Sequence, residues 1–318
     1  MEYTQPPSKP WRYLARWSSI IATILLVTST CSAQAKPAVQ QPDVPWLREL
    51  DKYPGLLPEL SRLAERLQHD VQLPSGRGQS RVMPLLPDST FSYVAFPNYG
   101  DVAHQVLQIF QKEMQKSSVL RDWWQHGAPA KAGPVAEDSL EKFYQLSQYL
   151  GEEIVTSATL EMRNPKLLVV AEIRKPGLKM FLRQMLNELP GKSKPPVRVF
   201  DPQELAGAED RGPSQEFLVL VRPDFVVGAP DLATLRGFNT LLDRGSREFG
   251  SSPFGQRIAQ AYAGGVTILG AADIHRILSQ VPHGTPQAES TFQLSGFADM
   301  KYLLWEHTTA AGQASGQA

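Results

Sequence analysis

Glu152-Glu153 is one of the few places in this chain where residue types and spacing could do chemistry. A glycosidase uses two carboxylates, one to protonate the leaving group and one to attack or to activate water. The plainer reading is a solvated strand start, and it is the one adopted here. Trp123-Trp124 could line a glycan or lipid site. Adjacent helical residues point about 100° apart, so one ring is expected in the core and the other at a rim. Trp123 and Trp124 are the candidate ligand-binding residues.

Other catalytic motifs fail on spacing. A serine hydrolase elbow needs G-x-S-x-G, and Gly250-Ser251-Ser252-Pro253-Phe254 misses it. Gly191-Lys192-Ser193 supplies only the end of a P-loop. Leu186 stands where the first glycine belongs, and the segment follows a helical pattern. No G-x-G-x-x-G occurs. The histidines at 69, 104, 126, 275, 283 and 307 form neither H-x-x-x-H nor H-E-x-x-H, so no single helix face encodes zinc. His104 and His275 open helices, where exposure or a local hydrogen bond is the ordinary role. A metal cluster assembled over long range stays open. No catalytic, cofactor-binding or metal-ligating residue is assigned.

The elements that would position such groups begin with a leader. Lys9, Arg12 and Arg16 precede a short apolar run, residues 20–27, and Ala33-Gln34-Ala35 is an A-x-A cleavage site. Residues 1–35 therefore read as a secretory signal peptide, too short in its apolar part for the ~20 residues a spanning helix needs. The whole chain has 32 basic and 32 acidic residues; without Lys9, Arg12, Arg16 and Glu2 it has 29 and 31, a net charge of −2. No block of like charge stands out, which argues against a nucleic-acid partner. Cys31 is the only cysteine. A mature chain starting at Lys36 has none, which excludes disulfides, thiolate catalysis and Cys-bound metal. A retained signal segment, or lipidation of Cys31 after cleavage before it, are the two routes to membrane association. Thr28-Ser29-Thr30 lack the Leu that usually leads a lipidation signal. The expected location is periplasmic or extracellular.

Residues 36–82 read as a Pro/Gln/Ala linker and a helical arm, with Leu56, Leu60, Leu63 and Leu67 at helical spacing. A hinge or loop is expected at 73–80, with Pro74, Gly76 and Gly78. The main α+β domain is expected over 83–309, followed by a flexible tail at 310–318. Its pattern centres on residues 166–189. The apolar run 167–173 predicts a strand covered on both faces. Pro176-Gly177 turns the chain, and Leu178, Phe181, Leu182, Met185, Leu186 and Leu189 form one helical stripe. Strand 154–162, half-buried, with Ile154, Thr156, Ala158, Leu160 and Met162 on one face, pairs with it as a hairpin. Phe217 to Val221 and Phe225 to Gly228 predict a second hairpin, and 291–294 with 300–307 a third. Four stretches share a strand, a polar turn and a helix, starting at Phe91, Leu167, Asp224 and Val266. The expected fold class is α+β: a mainly antiparallel sheet with helices on one face, built from recurring ββα-like units.

Leu85-Leu86-Pro87-Asp88-Ser89-Thr90 resembles the LLPADT-type opening of a family of bacterial exported proteins catalogued as a domain of unknown function. Tyr149-Leu150-Gly151-Glu152-Glu153, Lys175-Pro176-Gly177 and Ser252-Pro253-Phe254 are similar to that family's spacing. The likeness runs from about Leu85 to His307. It implies a chain that continues past this point and a domain incomplete at its C-terminus. The family has no established activity, so no site residue carries over.

The expected function is that of an exported, non-enzymatic protein of the bacterial cell envelope, binding a protein or an apolar ligand. A lipid-handling carrier and a hydrolase assembled only in three dimensions are the alternatives. The carrier needs an apolar cavity between sheet and helices, and the hydrolase a deep pocket with convergent groups.

Overall fold

The computed structural model describes residues 50–161, 164–188, 197–210, 216–279, 296, 299–310 and 313–317. The expected signal peptide, Cys31, the linker at 36–45, Gly191-Lys192-Ser193 and the expected strand at 291–294 lie outside them.

Helix α1 (Leu56–Asp70) precedes β1 (Thr90–Pro97), and three helices follow: α2 (Gly100–Lys116), α3 (Ser118–His126) and α4 (Gly133–Ser147). The hairpin β2 (Leu150–Glu161) and β3 (Asn164–Ile173) leads into α5 (Leu178–Glu188), then β4 (Val197–Phe200) and α6 (Pro202–Ala206). A second hairpin, β5 (Phe217–Val221) and β6 (Phe225–Ala229), leads into α7 (Leu232–Arg244), α8 (Glu248–Ser251) and α9 (Pro253–Ala263). Next come β7 (Ile268–Asp273), α10 (Ile274–Leu278), β8 (Tyr302–Ala310) and β9 (Gln313–Gln317).

The strands form one sheet in the order β4-β5-β6-β3-β2-β1-β7-β8-β9. Only β4 and β5 pair in parallel; the other described pairs are antiparallel. The fold is α+β with a mainly antiparallel sheet, as the hairpin patterns predict. Gly177, at φ 96°, makes the turn between β3 and α5 in a conformation a side chain would strain.

Register defines two faces. On the first, Leu220, Val227, Val170, Val155, Ala95 and Leu269 lie opposite one another across six strands. They pack with Leu232, Leu235 and Phe238 of α7 and with Phe254, Ile258 and Tyr262 of α9 in the main core. Among the described residues, the second face is covered at one end. There Leu178, Phe181 and Leu182 of α5 cluster with Ile154, Ala171, Val221 and Val226. The helices after β3 and β6 thus lie against opposite faces.

Several local expectations change. Residues 154, 156 and 158 do not form the more buried side of β2; Glu153, Val155, Ser157 and Thr159 do. Alternation marks two sides, and the inner one carries three polar residues. Tyr99 holds the N-cap place of α2, and Asp101 in its first turn accepts a hydrogen bond from Gln148 at 3.1 Å. α4 ends at Ser147, and the chain enters β2 at Leu150, opposite Ile173. The stretch after Phe200 contains α6, opened by a reciprocal cap between Asp201 and Glu204, with Leu205 buried. Residues 313–317, expected as a flexible tail, pair with β8 as the ninth strand. The hinge at 73–80 is tied to the body. Arg77 exchanges backbone hydrogen bonds with Val266 at 2.8 and 3.1 Å, and Val82 is wholly buried in the main core. The arm is tied down too, since Leu56 and Leu63 of α1 form a second core with Leu120 of α3.

Candidate functional site

A buried polar group sits between the first face and α9. Arg77 reaches in from the loop before β1, Glu153 from β2, Tyr93 from β1 and Tyr262 from α9. The Arg77 Nε lies 3.3 Å from Glu153 Oε1, with both side chains over nine-tenths buried. This contact is ionic but poorly aligned, because Nε and Nη1 find no hydrogen-bond acceptor among the described residues. Arg77 Nη2 donates to the Thr267 carbonyl at 2.9 Å. Tyr262 donates its hydroxyl to Glu153 Oε1, and Ser80 donates to Oε2 at 2.5 Å. The Tyr93 hydroxyl lies 2.7 Å from that of Tyr262.

Burial, and then the Glu153 charge, push the Tyr93 and Tyr262 hydroxyls well above the ordinary tyrosine range. Both rings therefore stay neutral. Each oxygen of Glu153 thus accepts from one hydroxyl, Tyr262 on Oε1 and Ser80 on Oε2. The group is suited to pinning the Arg77 loop and α9 onto the sheet. The expectation of a solvated strand start fits Glu152, which is exposed, and fails for Glu153.

The second face offers a different surface. Val219, Gly228, Val169, Thr156, Val94, Gly270 and Trp305 form one row across seven strands. Leu167, Ala158, Ser92, Ala272 and Leu303 form the next. Phe217 stands on the same face of β5 as Val219. Large apolar side chains remain open to solvent: Val94 39%, Phe217 36%, Leu303 52% and Trp305 45% exposed. Two rings lie down over glycines. A methyl group at residue 228 would meet Phe217 Cζ at 2.5 Å, and one at residue 270 would meet Trp305 at 3.7 Å. Rings laid across neighbouring strands replace the missing side chains and flatten the surface. Trp305 also stacks with His307, with centroids 6.3 Å apart.

Comparison with protein-family models, with curated proteins and with solved structures returns no match in any of the three.

The tryptophans singled out from sequence are both taken up in the helical layer. Trp124 packs edge-on to Phe110 with centroids 4.5 Å apart, donates to Glu137 at 2.7 Å, and has its ring against Gly133. Trp123 joins the core of Leu56, Leu63 and Leu120, and its buried Nε1 has no hydrogen-bond partner among the described residues. The expected split into core and rim is therefore not seen; both rings are half-buried. His104 stacks on Tyr144 at 3.9 Å and contacts Gln108, and His126 contacts Asp122 at 2.8 Å. His283 lies outside the described residues. Among the described residues, no three His, Cys, Asp or Glu gather as a metal site.

Ser252, part of the Gly-Ser run, caps α9 by accepting from Gly255 N at 3.0 Å. Two polar hollows open elsewhere. One of about 500 Å³ is lined by Arg183, Arg198, Glu204 and Glu209. There Arg183 pairs with Glu204 at 2.8 Å and Arg198 with Glu216 at 3.4 Å. The other, about 300 Å³, is lined from α1 by Arg66 and Asp70 and from α2 by residues including Gln108 and Lys112. The open apolar face is the candidate functional surface. Sequence alternation gives Val94 and Thr156 their sides on their own strands, but nothing local shows that this side lacks a full covering layer among the described residues.

Proposed function

We propose that this chain is a non-enzymatic α+β protein exported to the bacterial cell envelope, where it binds a partner through the second face of its sheet. The open apolar surface around Val94, Phe217, Leu303 and Trp305 carries the reading. An antiparallel sheet with one solvated face ordinarily turns polar side chains to water. Here the two exposed rows are built from Val, Ala, Leu, Phe, Trp and Gly with Ser92 and Thr156, and His307 stacks on Trp305 beside them. A contiguous patch of this kind in a folded protein marks a contact surface. Export rests on the leader pattern of residues 1–35.

The carrier alternative draws less support. The space between the first face and its helices is filled by Tyr93, Phe249, Ile258 and Tyr262, each 1% exposed or less. A catalytic reading of Glu153 draws less as well, because the carboxylate is buried, 5% exposed, between the sheet and α9.

Two measurements test the proposal. Dilute native protein should enhance the fluorescence of an anilinonaphthalene sulfonate dye, and Val94→Lys should remove most of that signal while leaving the thermal midpoint within a few degrees. Protein recovered from the envelope fraction should begin at Lys36. Equal dye binding by both proteins, or Met1 retained throughout, contradicts it.

A further inference from the structure

We infer that Glu153, the Thr267 carbonyl and the backbone of Val266 form a receptor for an extended Gly-Arg segment of a partner protein, and that the loop carrying Arg77 fills it as an internal substitute. The site lies on the covered face of the sheet and is separate from the open surface described above.

Arg77 is held as a bound peptide is held. It exchanges two backbone hydrogen bonds with Val266, at 2.8 and 3.1 Å, in a single antiparallel bridge. In this mode of recognition the backbone bonds supply affinity and a side-chain pit supplies specificity. The pit takes a guanidinium. Glu153 lies 3.3 Å from Nε, and the Thr267 carbonyl accepts from Nη2 at 2.9 Å. A lysine ammonium is a single point charge without the planar fork that reaches both groups. The residue before the arginine has to be glycine, because a Cβ at residue 76 would stand 2.8 Å from the Gly265 carbonyl oxygen. A Cβ at residue 78 would meet nothing within 4 Å, so the position after the arginine is unrestricted.

Two observations make the internal occupant displaceable. Its fit is incomplete: Arg77 is over nine-tenths buried, yet Nε and Nη1 find no hydrogen-bond acceptor among the described residues. Buried donors without acceptors reduce what the contact contributes. The loop also hangs between fixed ends. Leu63 of α1 is held in the second core, and Val82 in the main one. Between them, residues 72, 73, 75, 76, 78 and 79 are exposed, and the bridge from Arg77 to Val266 ties the stretch to the sheet. Such a segment opens without unfolding the body. A partner's arginine then replaces the outgoing one, so Glu153 keeps a cation beside it.

Amide hydrogen exchange and titration calorimetry of the full chain test this, with N-acetyl-Gly-Arg-Gly amide as the probe. In the wild type, millimolar peptide should speed exchange of the Arg77 amide by roughly tenfold. The Val266 amide should stay protected, because the peptide takes over its acceptor. Arg77→Ala and Gly76→Ala should each bind the peptide roughly a hundredfold more tightly than the wild type, since the loop no longer closes the site. The Ala-Arg-Gly and Gly-Lys-Gly counterparts should bind both variants about tenfold more weakly. Circular dichroism checks the fold of each variant. Gly76→Ala leaves Arg77 and the pit intact, so it carries the test if Arg77→Ala does not fold. A folded Gly76→Ala protein that binds no peptide overturns the inference. So does an Arg77 amide that exchanges no faster than that of Val155, with peptide or without it. Equal binding of the three peptides also overturns it, as a contact blind to glycine and guanidinium.

Discussion

Arg77→Ala, with Glu153 left in place, is expected to lower the free energy of unfolding by about 3–5 kcal/mol. The reason is asymmetric. The pair lies where water is largely excluded, so removing the cation leaves a carboxylate buried with only neutral donors around it. The same change frees the loop before β1, because the guanidinium no longer holds the Thr267 carbonyl. Replacing both partners should harm less than replacing one. Arg77→Met with Glu153→Gln removes both charges and keeps an acceptor for Ser80 or Tyr262. It should therefore be more stable than Arg77→Met alone. Urea unfolding of the four proteins checks this. A loss below about 1 kcal/mol for Arg77→Ala would mean that the pair is screened like a surface ion pair.

Gly255→Ala is the second large effect. Ser252 caps α9 and Pro253 occupies its first turn, so the helix starts tightly against α8. A methyl group at residue 255 would sit 1.9 Å from the Phe249 carbonyl oxygen. That neighbour is backbone and cannot rotate away. Phe249 and Phe254 meet edge to face at 5.9 Å and are both buried, so moving either segment opens the core. The substitution should cost about 3 kcal/mol or more, at the upper end for overpacking. Ordinarily alanine in place of glycine inside a helix stabilises it by about 1 kcal/mol. A Gly255→Ala protein with a raised thermal midpoint would contradict the close approach.

These two cases show where the sequence was readable. Local patterns located both hairpins, the Pro176-Gly177 turn and the stripe from Leu178 to Leu186, because each depends on near neighbours. Arg77 was read as part of a hinge, since Pro74, Gly76 and Gly78 dominate that stretch. Its anchors, Val266, Thr267 and Glu153, lie far along the chain. Glu153 was read as solvated for the same reason. A buried carboxylate becomes acceptable only when Ser80, Tyr262 and Arg77 converge on it, and their spacing in sequence carries no sign of that. Alternation marks the two sides of β2 without saying which is buried, because Glu153, Ser157 and Thr159 face inward although their types suit an outer side. β9 was missed because Gln313-Ala314-Ser315-Gly316-Gln317 has little strand character of its own; pairing with β8 supplies it. The open face was legible only in part. Alternation groups its members on each strand, but register decides that they meet.

Oxidative footprinting of dilute, monomeric protein tests that face most directly. Hydroxyl radicals should label Trp305 and Leu303 at rates near those of exposed residues, while Tyr262, Phe249 and Ile258 stay protected. Protection of Trp305 and Leu303 in the monomer, at the level of Ile258, would show the face already covered and would contradict the binding surface proposed for it.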